Sequence, residues 1–255
     1  VDVALSLPSV GPDPIGPDDA LAAVLGYARG RRPLHFRAPN AREGRWVRVP
    51  AFAFDRFDRQ PPETSARMTD RDVLLAESLH GRLDPAGWTV VRTALDAALP
   101  VAEEAALRAA GRAFWELPDD EVSVLAEPGT VGAAVRTLAA GPHAPYVLAA
   151  LHHRRPELFP LLDGITRRQL WPHTAEGDSG VHAVVLRELR ANAAAFALLE
   201  ARAGAALGHR VTRLRLHDVL LWLAGSLRTE TALALGRALD VEEADLRSPA
   251  AAGAR

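Results

Sequence analysis

The chain has 255 residues, 48% of them hydrophobic and 24% charged, with a formal net charge of −2 at pH 7. It contains no lysine, so all 30 of its formal Lys and Arg cations are arginines, and it contains no cysteine. These absences exclude lysine Schiff bases, a Walker A phosphate loop, thiolate nucleophiles, cysteine-ligated metal centres and disulfides, and the near-neutral balance argues against non-specific coating of nucleic acid.

A chain of this length buries a substantial core in one or two closely packed domains. No apolar run approaches ~20 residues and no basic-then-apolar leader opens the sequence, so the expectation is a soluble cytoplasmic protein with no membrane partner. A first residue other than Met predicts N-terminal processing or trimming. The enrichment in Ala, Arg, Gly, Pro and Val fits high-GC coding, as in actinobacteria.

Residues 1–16 read as an irregular arm, because prolines and glycines cluster after Val10. Asp18 to Ala28 reads as a helix and Arg29 to Pro33 as a basic turn. Strand character is confined to His35–Arg37 and Arg45–Phe54, around a turn at Asn40–Gly44, which allows a small hairpin. Phe52, Phe54 and Phe57 are expected to pack it onto the helical body, ahead of a flexible charged loop, Asp58 to Met68. From Thr69 the pattern is helical. Thr69 with Asp72 resembles a capping box, and Asp84-Pro85, Pro100, Pro118 and Pro128-Gly129 each mark a helix start. Gly141 to Pro145 is a turn, followed by a helix over Tyr146–Leu151. The longest helix is expected from Val181 to Leu207, stopped by Gly208, and helices follow over Thr212–Ser226 and Thr229–Leu239. Residues 17–246 thus form a single helical domain, with room for two packed lobes, and 247–255 a disordered tail.

The first candidate for chemistry is Asp163, in Pro160-Leu-Leu-Asp163-Gly, where a loop becomes a helix and unpartnered amides favour a carboxylate. The plain alternative is a helix N-cap. Arg154, Arg155, Arg167 and Arg168 bracket it, as a phosphate-facing patch or a solvated surface. Asp218 precedes the most apolar helical run. It is read either as an intrahelical partner of Arg215 or as a second carboxylate in the cleft of Asp163. His173, Asp178 and His182 do not have the spacing of a metal site, and the adjacent His152 and His153 point to different helix faces. No serine sits in a nucleophile elbow, and no glycine fingerprint joins a strand to a helix. No metal and no cofactor are expected.

Gly141-Pro-His-Ala-Pro, Arg154-Arg-Pro156, Pro160-Leu-Leu-Asp163, Thr69-Asp-Arg-Asp72 and Leu214 to Trp222 together resemble an uncharacterised actinobacterial family, over about residues 50–225. That arrangement is similar in turn to the helix-hairpin-helix DNA glycosylases. The resemblance implies an all-α fold, a hairpin at Gly141 and His143 that grips a DNA phosphate, and Asp163 as the catalytic carboxylate, with Asp218, read as a second carboxylate of that cleft, as the other catalytic candidate. It further implies Tyr146 or Trp171 stacking on an extruded base; Arg154 and Arg155, near phosphate, and Arg215, beside Asp218, are the arginines expected to contact substrate. His143 stands where the family has its second hairpin glycine, Pro142 and Pro145 remove amide donors, and without lysine only monofunctional hydrolysis fits. A non-catalytic scaffold and a pocket for a small metabolite are the competing readings.

Overall fold

The computed structural model describes residues 3–40, 42–52, 55–122, 127–141 and 143–247. The described residues are mostly helical: α1 Pro17–Arg29, α2 Asp55–Asp58, α3 Asp70–His80, α4 Pro85–Ala109, α5 Val131–Leu138, α6 Ala144–Arg154, α7 Gly164–Leu170, α8 His182–Ala191, α9 Ala193–Leu207, α10 Arg213–Gly225 and α11 Thr229–Arg247. An antiparallel ribbon, β1 Arg31–Phe36 and β2 Arg45–Pro50, pairs Arg31 with Pro50 and His35 with Trp46. The basic stretch expected as a turn therefore supplies the first half of β1. Phe52 and Phe57 are buried as expected, whereas Phe54 and the tail beyond Arg247 lie outside the described residues.

Helix ends follow the local chemistry. The Thr69 amide donates to Asp72 Oδ2 at 2.7 Å, Asp84 accepts from the Gly87 amide at 2.6 Å, and Thr130 and Thr212 cap α5 and α10. Two expected starts fail. Pro100 lies inside the 25-residue α4, which gives up one backbone hydrogen bond and continues, and after Pro118 there is only a 3₁₀ turn, Asp119–Glu121.

The expected long helix over 181–207 is two, broken at Asn192. Its Oδ1 accepts from the Ser6 amide at 2.7 Å, and its Nδ2 donates to the carbonyls of Ser6 and Glu188, both at 2.8 Å. The arm that makes this break is irregular in backbone but packed. Leu5 and Leu7 are buried, Leu5 bridges to Ile15, and Ser9 donates to Glu188 through its amide (2.9 Å) and its hydroxyl (2.6 Å). His217 Nε2 meets the same Glu188 carboxylate at 2.7 Å. Burial works against the Glu188 charge, but His217 and Ser9 hold its pKa below the usual range.

α1 lies along α11, α3 packs on α6, and α10 sits between α7 and α9. The first contact is backbone-close: a Cβ on Gly26 would stand 1.8 Å from the Ala232 carbonyl oxygen, and one on Gly236 the same distance from that of Ala22. Gly26→Ala is expected to lower stability by about 1–3 kcal/mol in urea denaturation. Gly204→Ala, whose Cβ meets nothing nearer than 3.7 Å, should instead raise it by up to ~1 kcal/mol through helix propensity.

Candidate functional site

Arg215, Asp218 and Trp222 recur three and four residues apart along α10 and so share one face. That face meets Tyr27 of α1, Leu79 and His80 at the end of α3, and Leu161 and Asp163 ahead of α7, and these residues line a narrow crevice. The space within is about 20 Å³, room for one water. α7 lies tightly against α10, since a Cβ on Gly225 would stand 2.6 Å from the Ile165 side chain.

The guanidinium of Arg215 organises the crevice floor. It donates to Asp58 Oδ1 at 2.7 Å and Oδ2 at 3.1 Å, to Asp218 Oδ2 at 2.6 Å and to the Tyr27 hydroxyl at 3.1 Å, and it lies over the rings of Tyr27 and Phe57. Burial opposes its charge, but Asp58, Tyr27 and Asp218 hold it firmly protonated. Asp218 is 8% exposed. Burial pushes its pKa up to about 7, Arg215 pulling it down and the Asp163 charge adding to the rise. Burial likewise lowers His80 to about 4, against the Asp163 charge, so its imidazole is neutral at pH 7.

Asp163 is the N-cap of α7 and half-buried. Oδ1 accepts from the amides of Ile165 (2.7 Å) and Thr166 (2.8 Å), and its own amide donates to Thr166 Oγ1 at 2.9 Å. Capping occupies one oxygen and fixes the plane of the carboxylate, while Oδ2 takes part in none of these bonds. The strap before it is anchored by buried Phe159 and Leu162. His152, neutral because burial lowers its pKa to about 4, meets the Phe159 carbonyl through Nδ1 at 2.8 Å.

α5 and α6 form a helical hairpin whose turn contains Gly141 and His143; Pro142 lies outside the described residues. The amides of Ala144, Tyr146 and Val147 bond back to carbonyls of Gly141 and His143, and Pro145 has no amide hydrogen. Among the described turn residues this leaves the amides of Gly141 and His143 without a backbone partner. The Tyr146 ring stands 6.3 Å from His143 and 5.4 Å from His80, and thereby links the hairpin to the crevice.

The other candidates are scattered. Arg154 is buried, and it donates to Asp72 Oδ1 (2.8 Å) and Oδ2 (2.7 Å) and to the carbonyls of Ser65 and Arg67, both at 2.7 Å. It therefore pins the loop expected to be flexible. Arg155 points outward, 3.4 Å from Glu103, and Trp171 is exposed. Asp178 is held by Arg187 at 2.5 and 2.9 Å, and His182 Nε2 lies 2.7 Å from Ser179 Oγ, which donates to the Val122 carbonyl. Among the described residues no group of three or more His, Asp or Glu is placed to hold a metal ion, and no helix is long and apolar enough to cross a membrane. Tyr27, Asp58, His80 and Trp222 belong to the site and were not singled out in the sequence. The only signal for Trp222 was its spacing from Arg215 and Asp218.

The model of a family of unknown function, DUF6308, matches residues 42–225, and the chain belongs to that family. No curated protein and no solved structure matches it.

Removing one member of a buried ion pair leaves the other uncompensated, so Arg154→Ala should cost about 3–5 kcal/mol in chemical denaturation. A purely solvent- or phosphate-facing arginine would cost almost nothing. The pH dependence has opposed contributions. His80, His152 and His182, each lowered to about 4 chiefly by burial, give stability that is present above pH 6.5 and lost as pH falls to 4. Asp218, raised to about 7, gives stability that is present at low pH and lost as pH rises to 7. Asp218→Asn removes the opposing contribution, so denaturation midpoints between pH 6.5 and 4 should fall more steeply than in the wild type. An equal or shallower fall would mean that Asp218 stays ionised throughout.

Proposed function

We propose that this DUF6308 member hydrolyses an N-glycosidic bond in a nucleic acid, with Asp163 and Asp218 as its catalytic carboxylates. The observation that carries the reading is that one crevice holds an oriented carboxylate with a spare oxygen and a second carboxyl that titrates near neutrality. A buried carboxyl with a raised pKa can act as an acid beside a second carboxylate held by capping amides.

In the reaction the C1′–N bond breaks and its electron pair leaves with the base, which takes a proton from Asp218. Asp163 Oδ2 faces the positive charge that develops on the sugar. Water adds to C1′ and gives its proton to Asp163. Arg215 orients Asp218, with four of its five N–H donors engaged by Asp58, Asp218 and Tyr27. The amides of Gly141 and His143 are the hairpin donors that remain for a phosphate, and Tyr146 stands between them and His80. This support is chemical and positional; the helical hairpin followed by a capped aspartate is what the glycosylase resemblance adds. With room for a single water, the crevice must widen at Trp222 and His80 to admit the scissile bond.

Base release from single-stranded and duplex oligonucleotides carrying damaged or mismatched bases tests the reading. Asn caps a helix about as well as Asp, so Asp163→Asn should keep its denaturation midpoint while base release falls at least ~100-fold. With Asp218 as the proton donor, the wild-type rate should fall above pH about 7. Absence of release from every substrate, or full activity in Asp163→Asn, overturns the reading.

A further inference from the structure

The β1–β2 ribbon is an unusual use of chain. Its residues, 31–50, include six arginines and one glutamate in a protein whose net charge is −2. All six arginines are exposed, and neither face is covered by the helical body. The pairing register divides the side chains. Arg31, Pro33 and His35 share a face with Trp46, Arg48 and Pro50, and Arg32, Leu34 and Phe36 share the other with Arg45, Val47 and Val49. Each face thus interleaves arginine with aromatic surface. Trp46 is 72% exposed, with its ring 5.2 Å from His35, and Phe36 is 48% exposed.

A two-stranded ribbon that buries neither face is marginal on its own in water. The prolines and arginines on its two free edges guard against strand addition, but they do not account for an exposed tryptophan and phenylalanine set among the charges. The foot of the ribbon opens into a groove lined by Arg29, Arg31, Arg56 and Arg59, with Ala28, Pro50 and Ser78. Ala28 and Ser78 adjoin Tyr27 and Leu79 of the crevice. The ribbon's basic surface thus continues into this groove, whose lining neighbours that of the crevice along α1 and α3.

We infer that the ribbon is a nucleic-acid-binding element whose arginines contact phosphates and whose Trp46 stacks on an unstacked base, leading the strand along the groove to the crevice. Phosphates match the charge, an exposed indole face stacks on any base, and Arg beside aromatic surface is the arrangement that holds single strands. The partner class rests on the N-glycosidic reading of the crevice; the binding surface does not depend on Asp163.

The test is fluorescence anisotropy of the full chain with a labelled 20-nucleotide single strand and the corresponding duplex, over a salt series. Variants are Arg32→Ala/Arg45→Ala, Trp46→Ala and Asp163→Asn, with co-sedimentation on phosphatidylserine vesicles alongside. The substituted ribbon side chains are solvent-exposed, so denaturation midpoints should match the wild type. The double arginine variant is expected to weaken single-strand binding at least tenfold and to make the salt slope shallower by about 1.4, at ~0.7 for each phosphate contact. Trp46→Ala should cost about tenfold, and Asp163→Asn should bind as the wild type does. Unchanged affinity in both ribbon variants, or binding to vesicles without binding to oligonucleotides, overturns the inference. Ribbon-dependent binding with an active Asp163→Asn protein sinks only the catalytic reading, whereas ribbon-independent binding with an inactive one sinks only the ribbon.

Discussion

Placing the Arg215 guanidinium inside the protein is the constraint around which the rest is arranged. Desolvating a cation costs several kcal/mol unless its donors are matched, and here they are matched by segments far apart in sequence: Asp58 at the end of α2, Tyr27 on α1 and Asp218 on α10 itself. The phenol stays neutral, its pKa pushed up mainly by burial, and so serves as a partner without adding charge. One cation then faces two carboxylates. Asp58 takes the bidentate contact and Asp218 a single one, and burial pushes the Asp218 pKa up to about 7 against the pull of Arg215. The chemistry proposed for the crevice is a by-product of that imbalance.

A second buried cation follows the same logic. Arg154 serves a carboxylate and two carbonyls at once, a task for a planar fork that an ammonium could not perform with the same geometry. Burial alone would raise the pKa of Asp72, but Arg154 and Thr69 more than offset it and keep the carboxylate charged. Having only arginine as its long cation, the chain uses the residue in two ways. In the ribbon it is exposed; at 154 and 215 it holds loops and helices together. A basic run such as Arg154-Arg155 therefore cannot be assigned to a surface from composition.

What the sequence made legible was local. Caps at Thr69, Asp84 and Thr212, the apolar core of α10, the small ribbon and the position of Asp163 at a helix start all depend on residues within a few positions of one another. What it hid was long-range. The break at Asn192 is made by Ser6, and Arg154 turns inward because Asp72 lies across the α3–α6 contact. Pro100 marks no boundary because α4 runs through it while packed on α5 and α6, so tertiary packing outweighs the lost bond. The crevice was half visible. Asp163 and Asp218 stood out as lone carboxylates in apolar surroundings, whereas Asp58 lay in a charged segment and His80 at a helix end, and only the fold brings them to Arg215.

The ribbon and the crevice are joined by an aromatic group. Phe52 follows β2, stacks on Tyr27 with ring centroids 5.7 Å apart, and meets Trp222 edge-on at 6.2 Å; Trp222 also lies against Tyr27 at 5.8 Å. Tyr27 and Trp222 are two walls of the crevice. Because interiors are close-packed, a change in the Trp222 ring is felt at Phe52, two residues beyond the end of β2. On the proposed reading, the aromatic group that walls the crevice is thus the one that backs the foot of the strand-binding ribbon.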